Sequence, residues 1–253
     1  MNAMMSCARP YKALVLLGLC AALAAPSFAG RRNAPGVSAD GALQWARRSI
    51  YGNGSIAQVD QPTLDGGPSY RFVVPDDGVS YRAELAAAAM PWGHYRYQFA
   101  VFVPQDWRPN PQATIVAQWH GYKLDSGRDT NPPISLAIEG DHWRLMVNRL
   151  ASPDQVEKKE FSLPPLQTGV WHRFDVRIHW SRSGQGGLVA LTHDGENWVS
   201  YEGANNYDQK NPPYFKIGIY HPQWNPRKDV PHATGGAPIV VYAAGVAVTP
   251  VDR

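Results

Sequence analysis

The chain has only two cysteines, Cys7 and Cys20, and both fall within residues 1–29. That segment reads as a secretory signal peptide. Arg9 and Lys12 give it a positive start, Ala13 to Ala25 is almost wholly apolar, and Ser27-Phe28-Ala29 offers a cleavage site after Ala29. The apolar run is too short for a bilayer, which needs roughly 20 residues. Leu17-Gly18-Leu19-Cys20 resembles a lipoprotein box, but Leu19 is too large for the position before the cysteine. The expected product is a cysteine-free chain of residues 30–253, periplasmic or extracellular. It has no disulfide, no thiolate nucleophile and no cysteine-ligated metal. Without disulfides it depends on a full hydrophobic core, and its length suits one β domain.

Other things are scarce. With Arg9 and Lys12 removed from the 24 basic residues, the mature chain nearly balances its 21 acidic ones. That argues against nucleic acid as a partner, and no segment points to a membrane. Nothing signals an oligomer, so a monomer is expected. Helical periodicity is confined to one short stretch, where Ser38-Ala39-Asp40 predicts a cap for a helix through Leu43, Trp45 and Arg48. There is no Glu-x-Asp-x-x-Glu strand of the kind a glycoside hydrolase uses. There is no Gly-x-Ser-x-Gly for an esterase. No Asp-rich loop announces a structural calcium site, and no cofactor is required.

What is present is a series of short aromatic or β-branched runs closed by Gly, Pro, Asn or Asp. They are Tyr70–Val74, Val79–Leu85, Tyr95–Val103, Thr114–His120, Ile134–Glu139, His142–Asn148, Glu160–Leu163, His172–Trp180, Leu188–His193, Trp198–Tyr201, Tyr214–Tyr220 and Ile239–Val248. In His172–Trp180, Phe174, Val176, Ile178 and Trp180 share one face, and Arg173, Asp175, Arg177 and His179 share the other. Such alternation marks antiparallel strands with one buried face. About a dozen of them, with 22 prolines and 23 glycines, predict an all-β sandwich.

Four runs carry candidate site residues. Tyr214–Tyr220 has Phe215, Ile217 and Ile219 on one face, with Tyr214, Lys216, Gly218 and Tyr220 on the other. Gly218 is expected to leave room for a ring. Val79–Leu85 places Arg82 and Glu84 together, which alone reads as a surface ion pair. Thr114–His120 puts Gln118 and His120 beside Val116, opposite Ile115, Ala117 and Trp119, and runs into Tyr122. His142–Asn148 offers Arg144 and Asn148, either for substrate or as solvated groups. Trp224 follows in a Pro-rich loop, where it would stack on a sugar or plug the sandwich.

An Arg, a Gln, a His, a Lys and a Tyr without paired catalytic carboxylates suit β-elimination on a uronic-acid polysaccharide. Arg82 and Gln118 would neutralise the uronate carboxylate, which stabilises the charge that develops as the C5 proton leaves. His120 and Tyr220 would act as base and acid, in either order, with Lys216 as a substrate contact and a cation that lowers the phenol's pKa. Three motifs then resemble those of the jelly-roll polysaccharide lyases. Tyr-Phe-Lys-Ile-Gly-Ile-Tyr at 214–220 is similar to the Tyr-Phe-Lys-x-Gly-x-Tyr strand of family 7 alginate lyases and to the Lys-x-x-x-Tyr strand of the heparin lyase I group. Gln118-Trp119-His120 resembles the alginate lyases' Gln-x-His, and Tyr81–Leu85 resembles their Arg-x-Glu-Leu. Ala86 stands where those enzymes usually carry a second Arg. Trp119 and Asn211–Tyr214 look nearer to the heparin lyase I and glucuronan lyase group. The resemblance implies a β-jelly-roll sandwich of two antiparallel sheets, concanavalin-like, acting on glucuronan, alginate or a heparin-like polymer. It assigns catalysis to Arg82, Gln118, His120 and Tyr220. A non-catalytic carbohydrate-binding module would share the fold without needing His120 and Tyr220 together, and a lyase-like domain that has lost activity is a further alternative.

Overall fold

The computed structural model describes residues 37–251 apart from 39–40, 125, 153–154, 208 and 229–233. The expected signal peptide lies outside the described residues. Among the described residues, fourteen strands form two seven-stranded sheets, and every pairing between strands is antiparallel. In chain order the strands are β1 Trp45–Tyr51, β2 Ser55–Leu64, β3 Gly67–Val74, β4 Arg82–Ala87, β5 His94–Phe102, β6 Asn110–His120 and β7 Ile134–Gly140. Then come β8 His142–Ser152, β9 Gln155–Pro165, β10 Trp171–His179, β11 Leu188–His193, β12 Glu196–Glu202, β13 Tyr214–Tyr220 and β14 Ile239–Pro250. One sheet runs β1-β4-β13-β6-β7-β8-β9 and the other β12-β11-β10-β5-β14-β3-β2. The fold is a jelly-roll sandwich.

The inner faces of the two sheets meet in one core. Phe215 of β13 lies 5.2 Å from Trp119 of β6 and 5.6 Å from Phe99 of β5, across the sandwich. Tyr97 and Trp119 cross the same gap edge to face at 5.1 Å, and Trp143 meets Phe174 at 4.9 Å. Each such buried side chain contributes roughly 1.5–3 kcal/mol through removal of apolar surface from water. The alternation that identified the strands is therefore the pattern that fills the core.

Each of the twelve expected runs overlaps a strand, but β1 and β2 escaped the reading. Both are edge strands, and their residues are mostly exposed or half-buried, so neither shows a continuous apolar face. The helix expected after Ser38 is not there. Gly41 at φ 85° closes a turn in which the Gly41 amide donates to the Ser38 carbonyl, and Val37 bridges Leu43 in the extended state. The polypeptide then enters β1 beside β4, where pairing with Leu85 and Ala83 outweighs local helical propensity.

Candidate active site

The floor of the site is the outer face of the first sheet, where β1, β4, β13 and β6 lie side by side. Register decides which side chains meet. Across β4, β13 and β6, Ala86 pairs with Lys216 and Lys216 with Gln118. Tyr214 pairs with His120, whereas Tyr220 pairs with Arg82 on one side and Ile115 on the other. Tyr214 and Tyr220 are six residues apart on one strand. At about 3.3 Å per residue their backbones are separated by roughly 20 Å. The tyrosine beside His120 is therefore Tyr214. In register, His120 therefore sits beside Tyr214 and not beside Tyr220, because a strand alone carries two equivalent tyrosines and only the neighbour's register distinguishes them.

The His120 and Tyr214 rings lie 5.4 Å apart. Nδ1 of His120 sits 2.5 Å from the Gly121 carbonyl oxygen, which only accepts, so Nδ1 carries the hydrogen and Nε2 keeps its lone pair. Burial, reinforced by the Lys216 charge, pushes the His120 pKa below the usual imidazole value. Burial pushes the Tyr214 phenol up, although the Arg47 charge opposes this. Nη2 of Arg47 donates to the Tyr214 hydroxyl at 2.6 Å, and its guanidinium carbon lies 5.0 Å from that ring. Tyr122, 40% exposed, borders Tyr214 at 5.5 Å. Its backbone is clamped by the Gln209 side chain, which accepts from the Tyr122 amide at 3.2 Å and donates to the Tyr122 carbonyl. A Cβ at Gly121 would stand 2.5 Å from the Gln209 side-chain oxygen, so a larger residue there would displace the Gln209 clamp.

Arg47 was missed because it lies on the unrecognised edge strand β1. Its Cα partner across the ladder is Ala86. The position where the alginate lyases carry a second Arg is thus occupied here by a small residue, with a guanidinium arriving from the adjacent strand. The small side chain of Ala86 was the one available signal, but it could not say which residue fills the space.

Beneath this surface lies a buried charge cluster. Glu84 and Lys216 are each 1% exposed, and the Lys216 ammonium donates to Glu84 Oε2. Gln118 Nε2 donates to Glu84 Oε1, and Arg82 Nε lies 3.2 Å from Glu84 Oε2. Burial lowers the Lys216 pKa, with the Glu84 carboxylate opposing. Lys216, expected to touch substrate, is therefore covered and committed to Glu84. Gln118 is likewise fully buried, with its Oε1 left without a hydrogen-bond partner, so its paired donor faces Glu84 rather than a uronate. The Arg82–Glu84 pair is internal rather than the surface pair that local reading favours.

The remaining expected residues separate. Arg82 stacks over Tyr220 at 4.2 Å and lies near Tyr51 at 5.6 Å, while its contact with Glu84 keeps its charge within reach of His120 and Tyr214. The cation over Tyr220 is thus Arg82, not Lys216. A bulge sets the Tyr220 end: Ile217 faces Ala117 but Tyr220 faces Ile115. A second bulge in β6 turns Ile115 outward, where it packs with Ala113, Ala137 and Tyr220, while Val116 joins the main core. That reverses the faces expected for Ile115 and Val116. Gly218, at φ 135°, makes no room for a sugar. A Cβ there would meet the Ala83 carbonyl at 2.3 Å and Phe72 at 2.7 Å, so it is a backbone requirement. Trp224 is 6% exposed, belongs to the core and lies 4.7 Å from His221, which makes it a plug rather than a sugar platform. Asn148 is buried, and its Nδ2 donates to the Pro132 carbonyl at 2.7 Å. Arg144 faces the groove side but is paired with Glu139 at 2.5 Å and Glu160 at 3.5 Å.

A jelly-roll sheet whose outer face carries an imidazole, a phenol and excess positive charge is the arrangement of a polysaccharide-cleaving enzyme of the eliminating kind. The polysaccharide lyase family model matches residues 40–242, and the chain belongs to that family as a polysaccharide lyase. An endo-β-1,4-glucuronan lyase from the fungus Trichoderma reesei is similar in structure, with TM-score 0.70 and 19% identity over 88% of this chain and 96% of that one. Alginate lyase A1-II', a member of polysaccharide lyase family 7, gives TM-score 0.52 and 17% identity over 76% and 82%. Among curated proteins no sequence matches.

Proposed function

We propose that this lyase cleaves a uronic-acid polysaccharide by β-elimination at His120, Tyr214 and Arg47. The observation that carries the reading is the contact of His120 with a tyrosine whose hydroxyl accepts from an arginine. The two environments push the proton-transfer groups in opposite directions, which assigns them. His120, with its pKa lowered and Nε2 unprotonated, is the base that takes the C5 proton. Tyr214, with its pKa raised, stays protonated and serves as the acid. The electron pair of the C5–H bond forms the C4=C5 double bond, the C4–O4 bond breaks, and O4 leaves with the Tyr214 proton. Arg47, exposed on the groove surface, binds the uronate carboxylate and offsets the charge that builds at C5. Glu84, Lys216 and Gln118 hold the floor flat beneath the ring and keep positive charge near His120. Arg82 supplies a cation further along the groove for a neighbouring uronate.

Three cations, Arg47, Arg82 and Lys216, stand against one carboxylate, Glu84, so the floor favours a polyanion. The signal-like residues 1–29 support export, and an intact mass beginning at Gly30 checks it. The activity test is the ultraviolet absorbance of unsaturated uronate released from glucuronan, alginate and heparin, with glucuronan first because the neighbour at TM-score 0.70 carries that substrate in its name. Release from at least one polymer is expected. Binding without absorbance across all three would instead make the domain a carbohydrate-binding module.

A further inference from the structure

A second cluster lies in the other sheet. His172 is the second residue of β10, His193 ends β11, and Asp194 begins the tight turn to β12. Both imidazoles are buried, at 2% and 5% exposure, while the Asp194 side chain is 48% exposed. Nδ1 of His172 is 2.9 Å from Nε2 of His193 and 3.7 Å from Oδ2 of Asp194, and Nε2 of His193 is 3.0 Å from that same oxygen. Nε2 of His172 sits 2.6 Å from the Gln167 carbonyl oxygen, so it carries the hydrogen and leaves Nδ1 as a lone pair. The other carboxylate oxygen of Asp194 accepts from the Arg173 amide at 2.8 Å, which fixes the carboxylate.

At least two lone pairs, those of His172 Nδ1 and Asp194 Oδ2, therefore point into one small space. A single hydrogen on His193 Nε2 can satisfy only one of them well. A cation satisfies all three. Tetrahedral coordination with bonds near 2.05 Å has ligand–ligand edges of about 3.3 Å, and the three edges here, 2.9, 3.0 and 3.7 Å, lie close to that. The backbone carbonyl behind His172 and the amide behind Asp194 are the outer partners that orient metal ligands. The ring walls are apolar: Trp143 lies 5.0 Å from His172, and Phe174 stacks on His193 at 4.7 Å.

We propose that His172, His193 and Asp194 bind one divalent transition cation of the zinc type. Two imidazoles and one carboxylate suit Zn²⁺ and Co²⁺, whereas Ca²⁺ and Mg²⁺ call for oxygen ligands. The fourth position opens on the Asp194 side and takes water. The ion ties the start of β10 to the β11–β12 turn. It lies in the opposite sheet from His120 and Tyr214, so its role is structural.

Full-length mature protein, stripped with chelator and dialysed, is titrated with Zn²⁺ by calorimetry and with Co²⁺ by visible absorption. The expected result is one ion per chain, a tetrahedral cobalt spectrum and a Tm rise of about 5 °C at a hundredfold excess over Kd. Asp194→Asn, at a half-exposed site that leaves the core untouched, weakens binding at least about tenfold. His94→Gln, which disrupts the other histidine pair, whose rings lie 5.5 Å apart, leaves binding unchanged. No saturable binding, or binding that survives Asp194→Asn and is lost in His94→Gln, overturns the proposal.

Discussion

Two single-atom deletions on one strand separate the candidate acids. Tyr214→Phe and Tyr220→Phe each remove one hydroxyl from β13 and leave the ring. Only Tyr214 pairs with His120, while Tyr220 lies six residues along, roughly 20 Å away by strand geometry. Tyr214 is the tyrosine whose ring lies beside that of His120, so it is the one placed to serve the same C5–O4 bond. General acid catalysis contributes typically 10²–10⁴-fold, so Tyr214→Phe lowers kcat by about that factor, and Tyr220→Phe changes it only a few-fold. The folding cost of Tyr214→Phe is small. One hydrogen bond is lost, worth about 1 kcal/mol, and its partner Arg47 is exposed and turns to water. The assay is initial-rate absorbance on the preferred polyuronate, with urea unfolding of each variant alongside. If Tyr220→Phe is the more damaging to kcat while both variants remain folded, the assignment of acid to Tyr214 is wrong.

Arg47→Ala should lower kcat/KM by about 10²-fold or more through lost charge stabilisation, and Ala86→Arg in that background should restore part of it, because the two positions pair across the ladder. The acid limb of kcat/KM should fall below the ordinary imidazole pKa of about 6.5, since burial and Lys216 both disfavour the His120 imidazolium. Removing that positive neighbour in Lys216→Met favours the imidazolium, so the limb should move to higher pH, read from a pH–rate profile. The same Lys216→Met leaves Glu84 buried and short of its cation, and chemical denaturation should show a loss of about 3–5 kcal/mol, largely recovered in Glu84→Gln/Lys216→Met. Gly218→Ala should cost about 1–3 kcal/mol from backbone strain alone, with the Ala83 contact adding to it.

The sequence alone settled the class of fold and most of the chemical groups of the site. Alternation with period two is a property of single strands, so twelve strands were legible without any partner, and most of their buried faces with them, though the bulge in β6 exchanged Ile115 and Val116. Edge strands β1 and β2 have no fully buried face, and with β1 went Arg47. Which groups meet was a matter for the tertiary structure. Lys216 looked like a surface cation because its strand neighbours are polar, but Glu84, 132 residues earlier, and Gln118 cover it. Tyr214 and Tyr220 are equivalent on their own strand, and only the register of β6 sets one beside His120 and the other over Ile115. Bulges in β6 and β13 shift that register by a residue, and a bulge is a feature of two strands together. A single sequence shows which stretches alternate and so become strands. The pairing between distant strands fixes which side chains share a proton.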